Sequence, residues 1–165
     1  DAPTRSRSGL RMQTVPSLDD LSDEAGSVVF GDEPPTLTLV APAKINLFLR
    51  ILKKRSDGFH ELASLFQTVS LFDTLDFWEN PDAKAPFCSM EVTRTSLGYD
   101  LIPTDETNLV MRALQLFADR TGETRRIHCR LHKAIPAQGG LGGGSCDAAT
   151  ALFAANRLAG YPVSQ

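Results

Sequence analysis

The sequence predicts an α+β fold. Strand-like segments come first and two helical segments follow, where a doubly wound sheet would alternate the two. Near the end, an alternating segment, a glycine-rich loop and an apolar helical stretch succeed one another without a break. Size and composition are compatible with one such domain. A chain of 165 residues can bury a real core, and 42% hydrophobic with 22% charged residues is the balance of a soluble globular protein.

Each element has a local reason. Residues 36–41 are apolar and β-branched, and Pro42 interrupts them. Residues 44–51 then alternate, with Ile45, Leu47, Leu49 and Ile51 on one face and Lys44, Asn46, Phe48 and Arg50 on the other, the pattern of a half-buried strand. The polar run 53–58 ends in Asp57-Gly58 and predicts a turn. A strand over Glu61 to Leu71 leads into the segment 73–78; residues 79–87, with Pro81 and Pro86, form a loop; 88–95 supply a further strand. Thr107 or Asn108 caps a helix whose apolar side is Leu109, Val110, Ala113, Leu114, Leu116 and Phe117, and Gly122 ends it. Residues 126–134 read as a strand, and 147–159 as the last helix, ended by Gly160. No internal repeat is present.

Several function classes are disfavoured. A formal net charge of −3 argues against the basic face that nucleic-acid binding needs. No run of eighteen apolar residues exists, so no membrane-spanning segment is expected. Three well-separated cysteines, Cys88, Cys129 and Cys146, make no disulfide framework. His128 and His132 share a strand face but stand about 13 Å apart at roughly 3.3 Å per residue, too far to hold one metal ion.

Residues 1–35 are expected to be a disordered extension. Residues 3–17 carry Arg5, Arg7 and Arg11 with several Ser and Thr and no acid, like the end of an organelle transit peptide. The flexible tail of a cytosolic protein is the alternative. Residues 19–33 turn acidic with little apolar content, and Pro34-Pro35 marks the boundary of the ordered part, 36–165.

The most informative segment is 136–146, Pro-Ala-Gln-Gly-Gly-Leu-Gly-Gly-Gly-Ser-Cys. Five of its residues are glycines, at 139, 140, 142, 143 and 144, and a turn needs only one or two. Between a strand and a helix N-terminus, such a loop presents backbone N–H groups and a positive dipole end to an anion. It is not a Walker A loop, because no Lys follows the last glycine, and it lacks the sixth-place Gly or Ala of a dinucleotide fingerprint.

The loop resembles the ATP-binding signature of the GHMP kinases (galactokinase, homoserine, mevalonate and phosphomevalonate kinases), Pro-x-x-x-Gly-Leu-Gly-x-Gly-Ser-Ser followed by small residues, which Asp147-Ala148-Ala149-Thr150 continue. Two further segments, Pro-Ala-Lys-Ile-Asn-Leu-Phe-Leu (42–49) and Arg-Ser-Asp-Gly-Phe-His (55–60), with Asp-Glu-Thr-Asn-Leu-Val (105–110), narrow the resemblance. They are similar to the branch of that family acting on 4-diphosphocytidyl-2-C-methyl-D-erythritol, in the non-mevalonate route to isoprenoids. The similarity spans 38–159.

The resemblance implies the two-layer N-terminal domain of that family, with a split βαβ unit and a left-handed crossover, lacking its C-terminal domain. It implies ATP and Mg²⁺ as cofactors, ATP and CDP-methylerythritol as small-molecule partners, and a plastid location if the extension is a transit remnant. ATP would lie against Pro136, Gly139, Gly140, Leu141, Gly142, Gly143, Gly144, Ser145 and Cys146, with Asn108 and Lys133 around adenine and ribose. Lys44 would be catalytic; Asn46, Phe59 and His60 would bind the substrate, with Phe59 and His60 at its cytosine end. Phe59 stands where the family more often has Tyr, Gln138 where it has Gly or a small residue, and Cys146 where it has a second Ser. The family's base, an Asp in Gly-Ala-Asp-Val-Pro, has no counterpart in these 165 residues, so the chain is expected to be truncated and inactive alone. Another GHMP small-molecule kinase and a non-catalytic nucleotide-binding module are the alternative functions.

Overall fold

The computed structural model describes residues 33–164. The extension expected over residues 1–35, with its transit-like run, therefore lies outside the described residues except for 33–35. Four strands form one sheet: β1 (Leu37–Lys54), β2 (His60–Asn80), β3 (Cys88–Val92) and β4 (Arg126–His132), in the order β1-β2-β4-β3. β1 with β2 and β2 with β4 are antiparallel, while β3 and β4 are parallel. A parallel pair needs a crossover, and α1 (Leu109–Thr121) supplies it. Helix α2 (Gly143–Leu158) follows β4 through the glycine loop. The α+β expectation holds.

Helices and sheet pack as two layers. On α1 the buried residues are Val110, Ala113, Leu114, Phe117 and Ala118, one stripe at helical spacing. They meet Leu75 and Phe77 of β2, Met90 and Val92 of β3, and Ile127, Cys129 and Leu131 of β4, every second residue along each strand. Helix α2 faces the core with Ala151, Ala154 and Ala155. Such small side chains let its backbone lie close to the sheet, which carries the glycine loop against β1. The Asn108 side chain accepts from the Val110 N–H at 2.9 Å and caps α1, and Gly122 closes it with φ 72°.

The structure corrects four boundaries. Pro42 does not interrupt β1; the strand continues through it, and the register shifts between Pro42 and Lys44. An edge strand tolerates proline at such an irregularity because no ladder donor is lost. Likewise β2 is one strand through residue 72. Strand β4 stops at His132, two residues early. Helix α2 begins at Gly143, inside the expected loop, so four of the motif's residues before Asp147 are helical.

The expected half-buried face on β1 is also absent. Ile45, Leu47, Leu49 and Ile51 are 39–62% exposed. Strand β4 pairs only with Thr74–Asn80 of β2, so the hairpin beyond Ala43 and before Phe72 extends past the sheet and both helices as a two-stranded ribbon. Alternation gave the ribbon two faces, but nothing in the described residues covers either.

Candidate functional site

The glycine loop is built from both sides. From β4, the chain bends sharply after His132, and the buried Asp73 of β2 holds that bend. One Asp73 oxygen accepts the N–H groups of Ala134 and Ile135 at 2.7 and 2.8 Å, and the other pairs with the Lys133 ammonium. From α2, Asp147 accepts from the same ammonium at 2.8 Å. Asp73, Lys133 and Asp147 are all buried, at 0%, 6% and 2% exposure. Burial alone would lower the Lys133 pKa, but the hydrogen bonds and charges of Asp147 and Asp73 outweigh it and raise the value. For Asp147, burial is the largest influence and lifts its carboxyl to about 6, against the opposing pull of Lys133 and with added repulsion from Asp73. Its second oxygen, Oδ1, has no hydrogen-bond partner.

From β1, Lys44 ties the loop to the sheet edge. The bulge after Pro42 leaves its backbone N–H to donate to the Leu141 carbonyl at 2.9 Å, and its ammonium donates to the Gly140 carbonyl at 2.6 Å and to Asn46 Oδ1 at 3.2 Å. The ammonium also lies 5.5 Å from the centre of the Phe66 ring. Lys44 is half-buried, as its apolar neighbours suggested. Gly142, at φ 76°, caps α2, and a Cβ there would come 3.1 Å from the Lys44 side chain. Glycine is thus required twice over, by conformation and by the approach of Lys44.

A cleft of about 430 Å³ opens over the loop, of a size suited to a small-molecule ligand. Pro136, Gly139, Gly140, Leu141, Gly142, Gly143, Gly144 and Ser145 line it, with Asn108 and Lys133 on its flanks. The exposed Ser145 hydroxyl and the first turn of α2 face this space. Cys146 is half-buried one residue further into the helix and donates its N–H to the Gly142 carbonyl at 2.9 Å. Lys44 and Asn46 reach the loop from the β1 side, beyond the lining of the cleft. Phe59 and His60 lie elsewhere: they stand at the tip of the ribbon, ten or more residues beyond Lys44, and Phe59 is 72% exposed. Ten residues of strand span roughly 33 Å, so these two meet the loop only through a ligand or a bend of the ribbon.

The cradle suits phosphate oxygens. Gln138 is exposed, lines the cleft and adopts φ 62°, a conformation that glycine takes without strain. Among the described residues no group of three or more His, Cys, Asp or Glu could hold a metal ion. Ser145 and Thr107 are the hydroxyl-bearing residues that line the cleft. His128 and His132 do not converge; they bond to Ser89 and Thr93 at 2.9 and 2.8 Å. The three cysteines are free thiols, and burial raises the pKa of Cys88 and, much further, that of Cys129. No helix among the described residues is long and apolar enough to cross a membrane.

Sequence reasoning missed Asp73 and the pairing of Asp147. A lone Asp between Phe72 and Thr74 reads as a turn residue, and only the register places it under Lys133. The signal for Asp147 was its position one turn into an otherwise apolar helix, where a charge must find a partner.

Residues 108–165 match the family described as GHMP kinases N terminal domain. Among curated relatives, 4-diphosphocytidyl-2-C-methyl-D-erythritol kinase of Protochlamydia amoebophila is 46% identical over 78% of this chain and 41% of its own length. The chloroplastic enzyme of the same name from Arabidopsis thaliana is 43% identical over 94% of this chain and 39% of its own. The chain thus spans about two fifths of these relatives. The crystal structure of a 4-(cytidine 5'-diphospho)-2C-methyl-D-erythritol kinase superposes with a TM-score of 0.60 at 34% identity, covering 78% of this chain and 42% of that one. Mevalonate kinase of Methanococcus jannaschii, at 12% identity and a TM-score of 0.55, shares the fold. With its fold, its glycine loop and these relatives in agreement, the chain is a GHMP kinase N-terminal domain.

Proposed function

We propose that the full-length protein carrying this domain, though not these 165 residues alone, transfers the γ-phosphoryl group of ATP to the 2-hydroxyl of 4-diphosphocytidyl-2-C-methyl-D-erythritol, in a plastid like that of the relatives named chloroplastic. The observation that carries this reading is the convergence of a glycine loop, a helix N-terminus and the Lys44 ammonium at one edge of the sheet. Phosphoryl transfer is mostly positioning and charge stabilisation, and these groups supply both. Backbone N–H groups of residues 139–145 receive the phosphates, Ser145 offers a hydroxyl to the β-phosphate or its Mg²⁺, and Asn108 flanks the nucleoside. When bound, Mg²⁺ neutralises phosphate charge.

Two of the three Lys44 donors are engaged, with Asn46 and the Gly140 carbonyl, which leaves one for the transferring group and the acceptor hydroxyl. Asn46 stands beside it to orient the substrate. With the ribbon bent towards the loop, Phe59 and His60 receive the cytidyl end, the ring by stacking and the imidazole by a hydrogen bond. This reading assigns the general base to no residue of this chain. The test is Lys44→Ala. A charge contact aimed at the transition state is worth roughly 10²–10³ in rate, so kcat should fall by that factor with KM little changed. A variant that moves only KM makes Lys44 a binding residue.

A further inference from the structure

We propose that Asp73, Lys133 and Asp147 are positioning residues that set the shape of the glycine loop from beneath, and that the Lys133 ammonium does not itself touch the nucleotide. The inference rests on the nucleotide-binding reading of that loop, and gives its buried charges a role that the family likeness alone did not suggest.

The geometry has three parts. Asp73 fixes the loop's entry, since its one oxygen takes two consecutive N–H groups, of Ala134 and Ile135. Lys133 carries that anchor across to the loop's exit, because its ammonium joins Asp73 on β2 to Asp147 on α2. Gly143 then closes the top. A Cβ on Gly143 would lie 3.0 Å from Lys133 Nζ and 3.0 Å from the Ile135 side chain, so the ammonium sits directly under the first helical residue, at the floor of the cleft. Two of its three N–H groups are already taken by carboxylates, and the residue is 6% exposed. A lysine so placed is poorly disposed to reach a phosphate, an adenine or a ribose, although its stem lines the cleft.

The arrangement also explains why an ion pair is kept in a site where an apolar pair would pack. Breaking a buried pair is costly because the surviving charge is uncompensated. The three groups sum to one negative charge, and the positive end of α2 lies over it. A polar strut with defined bond directions fixes the angle between β4 and α2, which apolar contacts would leave free to slide.

The test uses Lys133→Met combined with Asp147→Leu, which removes one charge of each sign and so keeps the net charge of −1, while Asp73 keeps its two backbone donors. Two readouts are taken on the purified protein. Hydrogen exchange without ligand is followed over residues 134–147, and ATP affinity is measured by calorimetry. The expected result is exchange about tenfold faster at Cys146 and Asp147, with the β4 amides 127–131 unchanged, and ATP bound about tenfold more weakly. Unaltered exchange with weakened ATP binding overturns the proposal, because Lys133 would then be a direct contact. Unaltered exchange and affinity overturn it equally. Faster loop exchange in a protein whose wild type binds no ATP supports the strut and defeats the nucleotide reading instead. If the double variant does not fold, Asp147→Asn and Asp147→Ala decide. Asn keeps an acceptor for Lys133 and should hold the loop near wild type, Ala should not, and equal exchange in the two refutes the strut.

Discussion

Alanine at Gly143 should destabilise the protein, and alanine at Gly144 should stabilise it, although the two glycines are neighbours in the same motif. Neither takes a positive φ, and both lie in α2, so backbone conformation does not separate them. Replacing glycine at such a position removes unfolded-state freedom and gains about 0.4–1 kcal/mol. At Gly144 the new methyl meets only Leu109 Cδ1 at 3.8 Å, an ordinary contact, and the gain stands. At Gly143 the methyl would come 3.0 Å from Lys133 Nζ and from Ile135 Cγ2, and 3.3 Å from Ile135 Cβ. Overpacking of that kind costs about 1–3 kcal/mol, so the net is a loss near 1 kcal/mol. Urea unfolding of the two variants measures the difference directly, and thermal melts should separate them by several degrees, at about 2–4 °C per kcal/mol for a chain of this size. Gly143→Val, larger still, should also weaken ATP. Gly143→Ala at least as stable as Gly144→Ala would refute the crowding argument, and unchanged ATP affinity in Gly143→Val would remove the loop from the account.

Two other expectations concern chemistry. Phe59→Ala and His60→Ala should impair use of the cytidyl substrate while sparing ATP affinity and stability, because both residues are exposed on the ribbon; stacking of a ring on a base is worth roughly 1–3 kcal/mol. Equal loss of both ligands would mark a packing defect. The Asp147 carboxyl is raised to about 6 in the fold from the ordinary aspartate value of 3.8, so the folded state holds a proton that the unfolded state has released between those values. Its contribution is therefore full below about pH 4 and declines as pH rises through 6, with a slope of at most about 1.4 kcal/mol per pH unit. Unfolding free energies from pH 4 to 7 should lose that slope in Asp147→Asn; identical profiles would show that Asp147 does not titrate there.

What the sequence disclosed and what it hid divide along physical lines. Helix α1 was readable from its stripe and its caps, which are local signals, and the glycine loop from composition alone. Strand β1 was readable as a strand, yet its burial was not, because exposure of Ile45 to Ile51 depends on where β4 stops pairing. The loop's boundary was misplaced by four residues because Gly143 and Gly144, poor helix formers, are carried into α2 by tertiary contact with Ile135 and Leu109. Gly143 takes no positive φ, and what a side chain there would meet is a buried lysine and isoleucine. Asp73 lies sixty residues before Lys133, and such a pairing is set by strand register, which no local pattern records.

The central claim is tested most directly by incubating a full-length protein that carries this domain with ATP, Mg²⁺ and 4-diphosphocytidyl-2-C-methyl-D-erythritol, with ADP release and phosphorus NMR followed together. The account predicts ADP formed in step with a new phosphomonoester on the tertiary 2-hydroxyl, and no comparable turnover of mevalonate or homoserine. Turnover of either alcohol at the rate of the cytidyl substrate, or ATP binding without transfer to any of the three, would contradict it.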